Sequence, residues 1–128
     1  MRLLLDTQVF LWWISDDAAL SKKARKAIAN PANECFFSLA SAWELAIKTS
    51  LGKLTLGQSL ERFLPEQLAL NQFQWLPVSL AHTLGVATLP WHHRDPFDRL
   101  LVAQCQADGM TLVSADAGLK AYELPLIA

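Results

Sequence analysis

The chain has 128 residues, enough for one ordinary domain with its own hydrophobic core and no need of disulfide or metal staples. Hydrophobic residues make up 52% and charged residues only 18%, which excludes a disordered chain, and no apolar run approaches the ~20 residues that cross a bilayer. A formal net charge of −1 excludes binding of nucleic acid by overall charge alone.

In chain order, Leu3-Leu4-Leu5 reads as a strand ending at Asp6. Asp6 interrupts the apolar start, and Asp16 and Asp17 follow without a small-residue cleavage site, so this is not a signal peptide and the protein reads as cytoplasmic. Helical periodicity follows over Val9 to Ile14. Trp12 and Trp13 are consecutive and cannot point the same way; one is expected at a surface, as an interface residue, with core packing of both the alternative. A second helix spans Ser21 to Ala29, where Lys22, Lys23, Arg25 and Lys26 form either a solvated face or an RNA-contacting patch. Past the loop at Pro31 come a strand over Cys35 to Phe37 and a helix over Ala42 to Leu51, with Gly52 as its C-cap. Further helices are expected over Ser59 to Ala69, Ala81 to Ala87 and Phe97 to Ala107, and strands over Phe73 to Leu76 and Thr111 to Val113. Pro90 marks a loop, Trp43 and Trp75 suit the core, and the short tail Glu123 to Ala128 leaves the last edge of the sheet undefined.

Strands alternating with helices imply βαβ units and a mostly parallel sheet covered on both faces. The expected fold is a three-layer α/β/α sandwich forming a single domain over 1–128, with no internal repeat or linker. Cys35 and Cys105 sit in apolar contexts and read as buried free thiols, and no CxxC or HxxxH spacing supports zinc.

Four acids carry the chemistry, although each alone has a structural explanation. Asp6 directly follows a buried strand and Asp116 stands just past another, the place where open parallel sheets bind ligands, and both also suit N-caps or, for Asp116, a turn. Glu44 stands in Ser41-x-x-Glu44, with capping-box spacing and Lys48 four residues on for an ion pair, but it also borders an apolar face with Ile47 and Leu51. In Asp95-Pro96-Phe97-Asp98, Asp95 and Pro96 make a helix start, which puts Asp98 on the stripe of Leu101, Val102 and Cys105. A carboxylate there is costly unless a cation compensates it. Two unit charges 4 Å apart repel by ~4 kcal/mol at an effective dielectric of 20, so clustered acids take up protons or bind hard cations. An oxygen-only donor set points to Mg²⁺ or Mn²⁺.

These residues in this order resemble the PIN-domain family and, within it, VapC-type toxin ribonucleases. The resemblance runs from Leu-Leu-Leu-Asp6-Thr7 through Ser41-Ala-Trp-Glu44-Leu and Leu-Gly52-Lys53-Leu to Asp95-Pro-Phe-Asp98-Arg-Leu-Leu-Val-Ala-Gln and Leu-Val-Ser114-Ala-Asp116. It implies an α/β/α fold, Mg²⁺- or Mn²⁺-dependent cleavage of RNA, a homodimer and inhibition by a cognate VapB-like antitoxin. The same resemblance gives Asp6, Glu44, Asp98 and Asp116 the roles of acidic site residues. It makes Asp95 a cap or supporting residue, and Thr7 and Ser114 hydroxyls that orient carboxylates or water. Metal-activated water attacking phosphorus in line would leave a 3′-hydroxyl and a 5′-phosphate. Lys48, Arg94 and Arg99 are the expected phosphate contacts, while His92 and His93 read as surface loop residues.

Rival readings fit less well. A receiver-like Mg-binding signalling module needs an acid pair after the first strand and another acid after the third, which this sequence lacks. A dehalogenase-type phosphatase needs an acid where Gln8 stands. A catalytically silent PIN-like binding protein would not need the intact acid set.

Overall fold

Period-two alternation divides the apolar residues between two cores. In the computed structural model, which describes residues 1–128, β1 (Arg2–Leu5) sends Leu3 and Leu5 into one core and Leu4 into the other. On β2 (Glu34–Ser38), Cys35 and Phe37 join the first core while Phe36 packs against the second. On β4 (Thr111–Val113), Val113 and Leu112 divide in the same way. Strands buried on both faces read as continuous apolar runs, which is why Leu3-Leu4-Leu5 carries no polar alternation.

The sheet has five strands in the order β3-β2-β1-β4-β5, with β3 at Gln74–Leu76 and β5 at Leu126–Ile127. Every neighbouring pair is parallel. The chain steps from β1 to β2 to β3 in one direction, then returns to the other side of β1 with β4. The order therefore reverses between β1 and β4, and ligands bind such sheets outside the carboxyl ends at that switch point. A receiver-type sheet has the order 2-1-3-4-5, so the topology removes that rival. The undefined tail is resolved as well, because Ile127 pairs with Val113 and Leu126 with Leu112.

Helices α1 (Thr7–Ile14), α2 (Lys22–Ala29), α3 (Leu39–Ser50) and α4 (Leu60–Asn71) contribute Phe10, Ile28, Leu45 and Leu64 to the first core. The second core rests on α6 (Pro96–Asp108), against which α5 (Leu80–Val86) packs. Cys35 and Cys105 are buried free thiols, as their apolar contexts imply. No helix is long and apolar enough to cross a membrane.

Three local expectations need correction. Helix α3 begins at Leu39, capped by Ser38 Oγ accepting from Ala40 N–H, so Ser41 is not a cap: it is buried inside the helix and its hydroxyl has no hydrogen-bond partner. Trp43 is 61% exposed and Trp75 39% exposed, so neither is a core residue; Trp43 stands edge-on to Phe97, and Trp75 edge-on to Phe37 at the sheet margin. Trp12 and Trp13 are both half-buried, with Trp13 Nε1 donating to Asn71 Oδ1 at 2.9 Å. Gly52 does end α3: its φ of 71° permits the Lys53 N–H bond back to Lys48 O.

Candidate metal centre

The switch point places Asp6 and Asp116 at the ends of adjacent central strands. Asp6 continues the β1–β4 ladder by one bond, its N–H donating to Val113 O at 3.0 Å, then turns the chain into α1. Its Oδ1 accepts from Val9 N–H at 2.7 Å, so Asp6 is the N-cap of α1. Capping and facing a ligand are compatible for a carboxylate, because the cap occupies one oxygen. Asp116 likewise caps the 3-10 helix Ala117–Ala121 with Oδ1, accepting from Gly118 N–H at 2.8 Å. Asp95 caps α6, its Oδ1 accepting from Phe97 N–H and Asp98 N–H at 2.8 and 3.2 Å. Asp98 then lies in the first turn of α6.

Glu44 reaches the same place from α3. Its Oε1 accepts from Thr7 Oγ1 at 2.7 Å, and Lys48 Nζ lies 2.9 Å from Oε2. Asp6, Glu44, Asp95, Asp98 and Asp116, with Lys48, Thr7 and Trp12, line one crevice of about 350 Å³. The structure thus brings all four expected acids together. Ser114 is buried below them, its Oγ accepting from Asp116 N–H at 3.1 Å.

Crowding and burial set the electrostatics. Burial pushes the Asp98 carboxyl up to about 7, and the neighbouring charges of Asp95, Asp6 and Asp116 add to that rise. Asp6 is also raised, first by burial, while the Ser114 hydroxyl and Val9 N–H oppose the rise. Asp116 moves the other way, held low mainly by its hydrogen bond from His93. The only lysine in the crevice is already engaged by Glu44. The cluster therefore carries more negative charge than its own cations neutralise, and within it the ligand atoms of Asp98, Asp116 and His93 lie within 4.8 Å of one another, close enough to hold a metal ion.

His93 and Arg99 depart from expectation. His93 is not a surface residue: its Nε2 lies 2.7 Å from Asp116 Oδ2 and 3.6 Å from Asp98 Oδ2. Arg99 cannot meet phosphate from its buried position. Its guanidinium donates to Pro90 O at 2.9 Å, Val86 O at 3.2 Å and Tyr122 Oη at 3.0 Å, and stacks 3.8 Å from the Trp91 ring centroid. Lys48 lines the crevice, whereas Arg94 is exposed and is not among its lining residues, although Asp95 next to it is. The cluster Lys22, Lys23 and Lys26 lies on exposed positions of α2, and Arg25 pairs with Asp16 at 2.6 Å. No sequence pattern signals His93, because its partner stands 23 residues away, beyond the whole of α6 and β4.

The family model of the PIN domain matches residues 3–124. No curated protein matches the chain in sequence. Among solved structures, the chain is similar to VapBC2 from Rickettsia felis bound to a promoter DNA fragment, with a TM-score of 0.73, 18% identity and coverage of 99% of this chain and 98% of that one. A DNA-bound VapBC from Salmonella typhimurium is similar with a TM-score of 0.69, 13% identity and coverage of 99% and 97%. VapBC-5 of Mycobacterium tuberculosis, described as a toxin–antitoxin system member, follows the same fold with a TM-score of 0.62, 15% identity and coverage of 98% and 97%.

Proposed function

The chain belongs to the PIN-domain family, and from that premise we propose that it is a metal-dependent endoribonuclease, the VapC-like toxin of a toxin–antitoxin pair. The observation that carries this reading is the convergence of Asp6, Glu44, Asp98 and Asp116 at the switch point of a wholly parallel sheet. Similarity to toxin–antitoxin complexes over almost the whole chain supports the biological setting.

In this reading the four carboxylates would hold Mg²⁺ or Mn²⁺, which when bound would neutralise charge on the phosphodiester and acidify a water for attack at phosphorus. Asp6 and Asp116 are fixed by their own backbone caps, so two of the four need little reorganisation to bind. Thr7 and Lys48 fix the carboxylate of Glu44 from both sides. On phosphate arrival Lys48 is the cation within the crevice that can meet it. In-line hydrolysis leaves a 3′-hydroxyl and a 5′-phosphate.

A VapB-like antitoxin and a second copy of the chain complete the proposal. The spacing of Leu39, Trp43, Ile47 and Leu51, all exposed along α3 and its C-cap, supports an apolar partner surface. Cytoplasmic action follows from an RNA substrate.

The test is incubation of the pure protein with total RNA, with and without Mn²⁺, beside the Asp98→Ala variant. Cleavage that needs both Mn²⁺ and Asp98 supports the proposal. Equal cleavage by the variant, or none by the intact protein, overturns it; the latter is the outcome a catalytically silent PIN-like protein would give.

A further inference from the structure

We propose that His93 is a positioning residue that locks the Asp116 carboxylate in place for metal, and that it does so as a hydrogen-bond donor without itself being a ligand. This rests on the metal-centre reading above and deepens it.

The tautomer follows from geometry. Asp95 N–H donates to His93 Nδ1 at 3.1 Å, so Nδ1 carries a lone pair and the ring proton sits on Nε2. That proton is directed at Asp116 Oδ2, 2.7 Å away. Asp116 Oδ1 is already taken by Gly118 N–H. Both oxygens of this carboxylate are therefore fixed, one by its own turn and one by the imidazole. Turning Nε2 into a metal ligand would require moving the proton to Nδ1, which would break the bond from Asp95 at the start of α6.

The rest of the loop holds the ring where it is. His93 N–H donates to Tyr122 Oη at 3.2 Å, and the same oxygen accepts from Arg99 and donates to Pro90 O. Arg99 secures the preceding turn through Val86 O and Leu89 O. A separate observation concerns Gly118: a Cβ there would lie 3.0 Å from His93 Cδ2 and 3.1 Å from Asp116 Oδ1. A methyl there would force the imidazole or the carboxylate to give by a few tenths of an ångström. Groups that hydrogen-bond metal-binding side chains typically change metal affinity ~10–100-fold when removed.

The experiment is a calorimetric Mn²⁺ titration of the intact protein and of His93→Gln, His93→Ala and Gly118→Ala, with circular dichroism to verify folding. Gln retains a side-chain N–H donor, so His93→Gln should bind Mn²⁺ close to the intact protein, and His93→Ala about tenfold or more weakly. Gly118→Ala, which keeps His93 but crowds it, should fall with His93→Ala. Nitrogen NMR of His93 supplies a second readout: the Nε2–H form should persist when Mg²⁺ is added. Unchanged affinity in His93→Ala overturns the inference while leaving the metal centre intact. Loss of the Nε2 proton on Mg²⁺ binding, or loss of binding in His93→Gln equal to that in His93→Ala, shows a ligand instead and also overturns it. An intact protein that takes up no Mn²⁺ overturns the metal-centre reading, and this inference with it.

Discussion

Thr7 Oγ1 donates to Glu44 Oε1 across 2.7 Å, and this contact joins the first turn of α1 to α3 over the carboxyl edge of the sheet. Thr7 is buried, whereas Glu44 reaches the crevice, so the pair transmits the rigidity of the core to the site. Thr7→Val preserves the β-branched shape and deletes only the donor. It should cost ~1 kcal/mol of stability and weaken Mn²⁺ binding by about tenfold. Denaturant unfolding and metal titration of the same variant measure the two effects, and unchanged affinity would show that Glu44 needs no such support.

Asp98 makes the fold pH-dependent. Its carboxyl is raised from 3.8 to about 7, so between those values the folded state holds a proton that the unfolded state has lost. Stability of the metal-free protein must then fall as pH rises through that window. Asp6 is raised too and acts in the same direction. Asp116 is lowered; its contribution is present above 3.8 and is lost only at more acid pH, outside this window. Asp98→Asn removes the penalty, so in chelator the variant should melt above the intact protein at about pH 8. Added Mn²⁺ should reverse that order by stabilising only the intact protein. Thermal melts across pH with and without Mn²⁺ give the comparison; equal pH slopes in chelator would contradict it.

Much of the fold is legible in the order of residues alone. Leu3 to Leu5 and Thr111 to Val113 are apolar runs that end beside acids, and both are central strands. Asp95-Pro96 marks the start of α6 because cap chemistry is local. The start of α3 is harder to place because Ser38 and Ser41 both suit a cap, and only the end of β2 at Ser38 decides between them. β5 leaves no mark because two residues carry no periodicity; pairing with β4 alone defines it. Arg99 and His93 are hidden for one reason. Their roles depend on the turn from Val86 to His93 folding over α6, which no short-range spacing encodes. Asp6, Asp98 and Asp116 converge as their positions beside strands and a helix start imply, whereas Glu44 reaches the same crevice from the middle of α3, because that helix starts at Leu39 and not at Ser41.

Arg99 is the second stability test. A guanidinium that serves four carbonyls, a tyrosine hydroxyl and an aromatic face cannot be replaced by one ammonium. Arg99→Lys should lose about 3 kcal/mol in urea unfolding. A loss under about 0.5 kcal/mol, the range of ordinary surface changes, would contradict the clamp.

The thiols should be silent. Burial pushes Cys35 up to about 11 and Cys105 up to about 12, which leaves almost no thiolate at neutral pH. A thiol reagent should label neither cysteine in the folded protein and both in denaturant. Rapid native labelling of either would show that its core opens.

The most direct test of the central claim is to locate the metal itself, by anomalous scattering from a crystal grown with Mn²⁺. The expected result is Mn²⁺ in the crevice at coordination distance from carboxylate oxygens of Asp6, Asp98 and Asp116, with Glu44 reaching it directly or through water. Mn²⁺ bound only elsewhere, or a crevice that stays free of it at saturating concentration, would contradict the account.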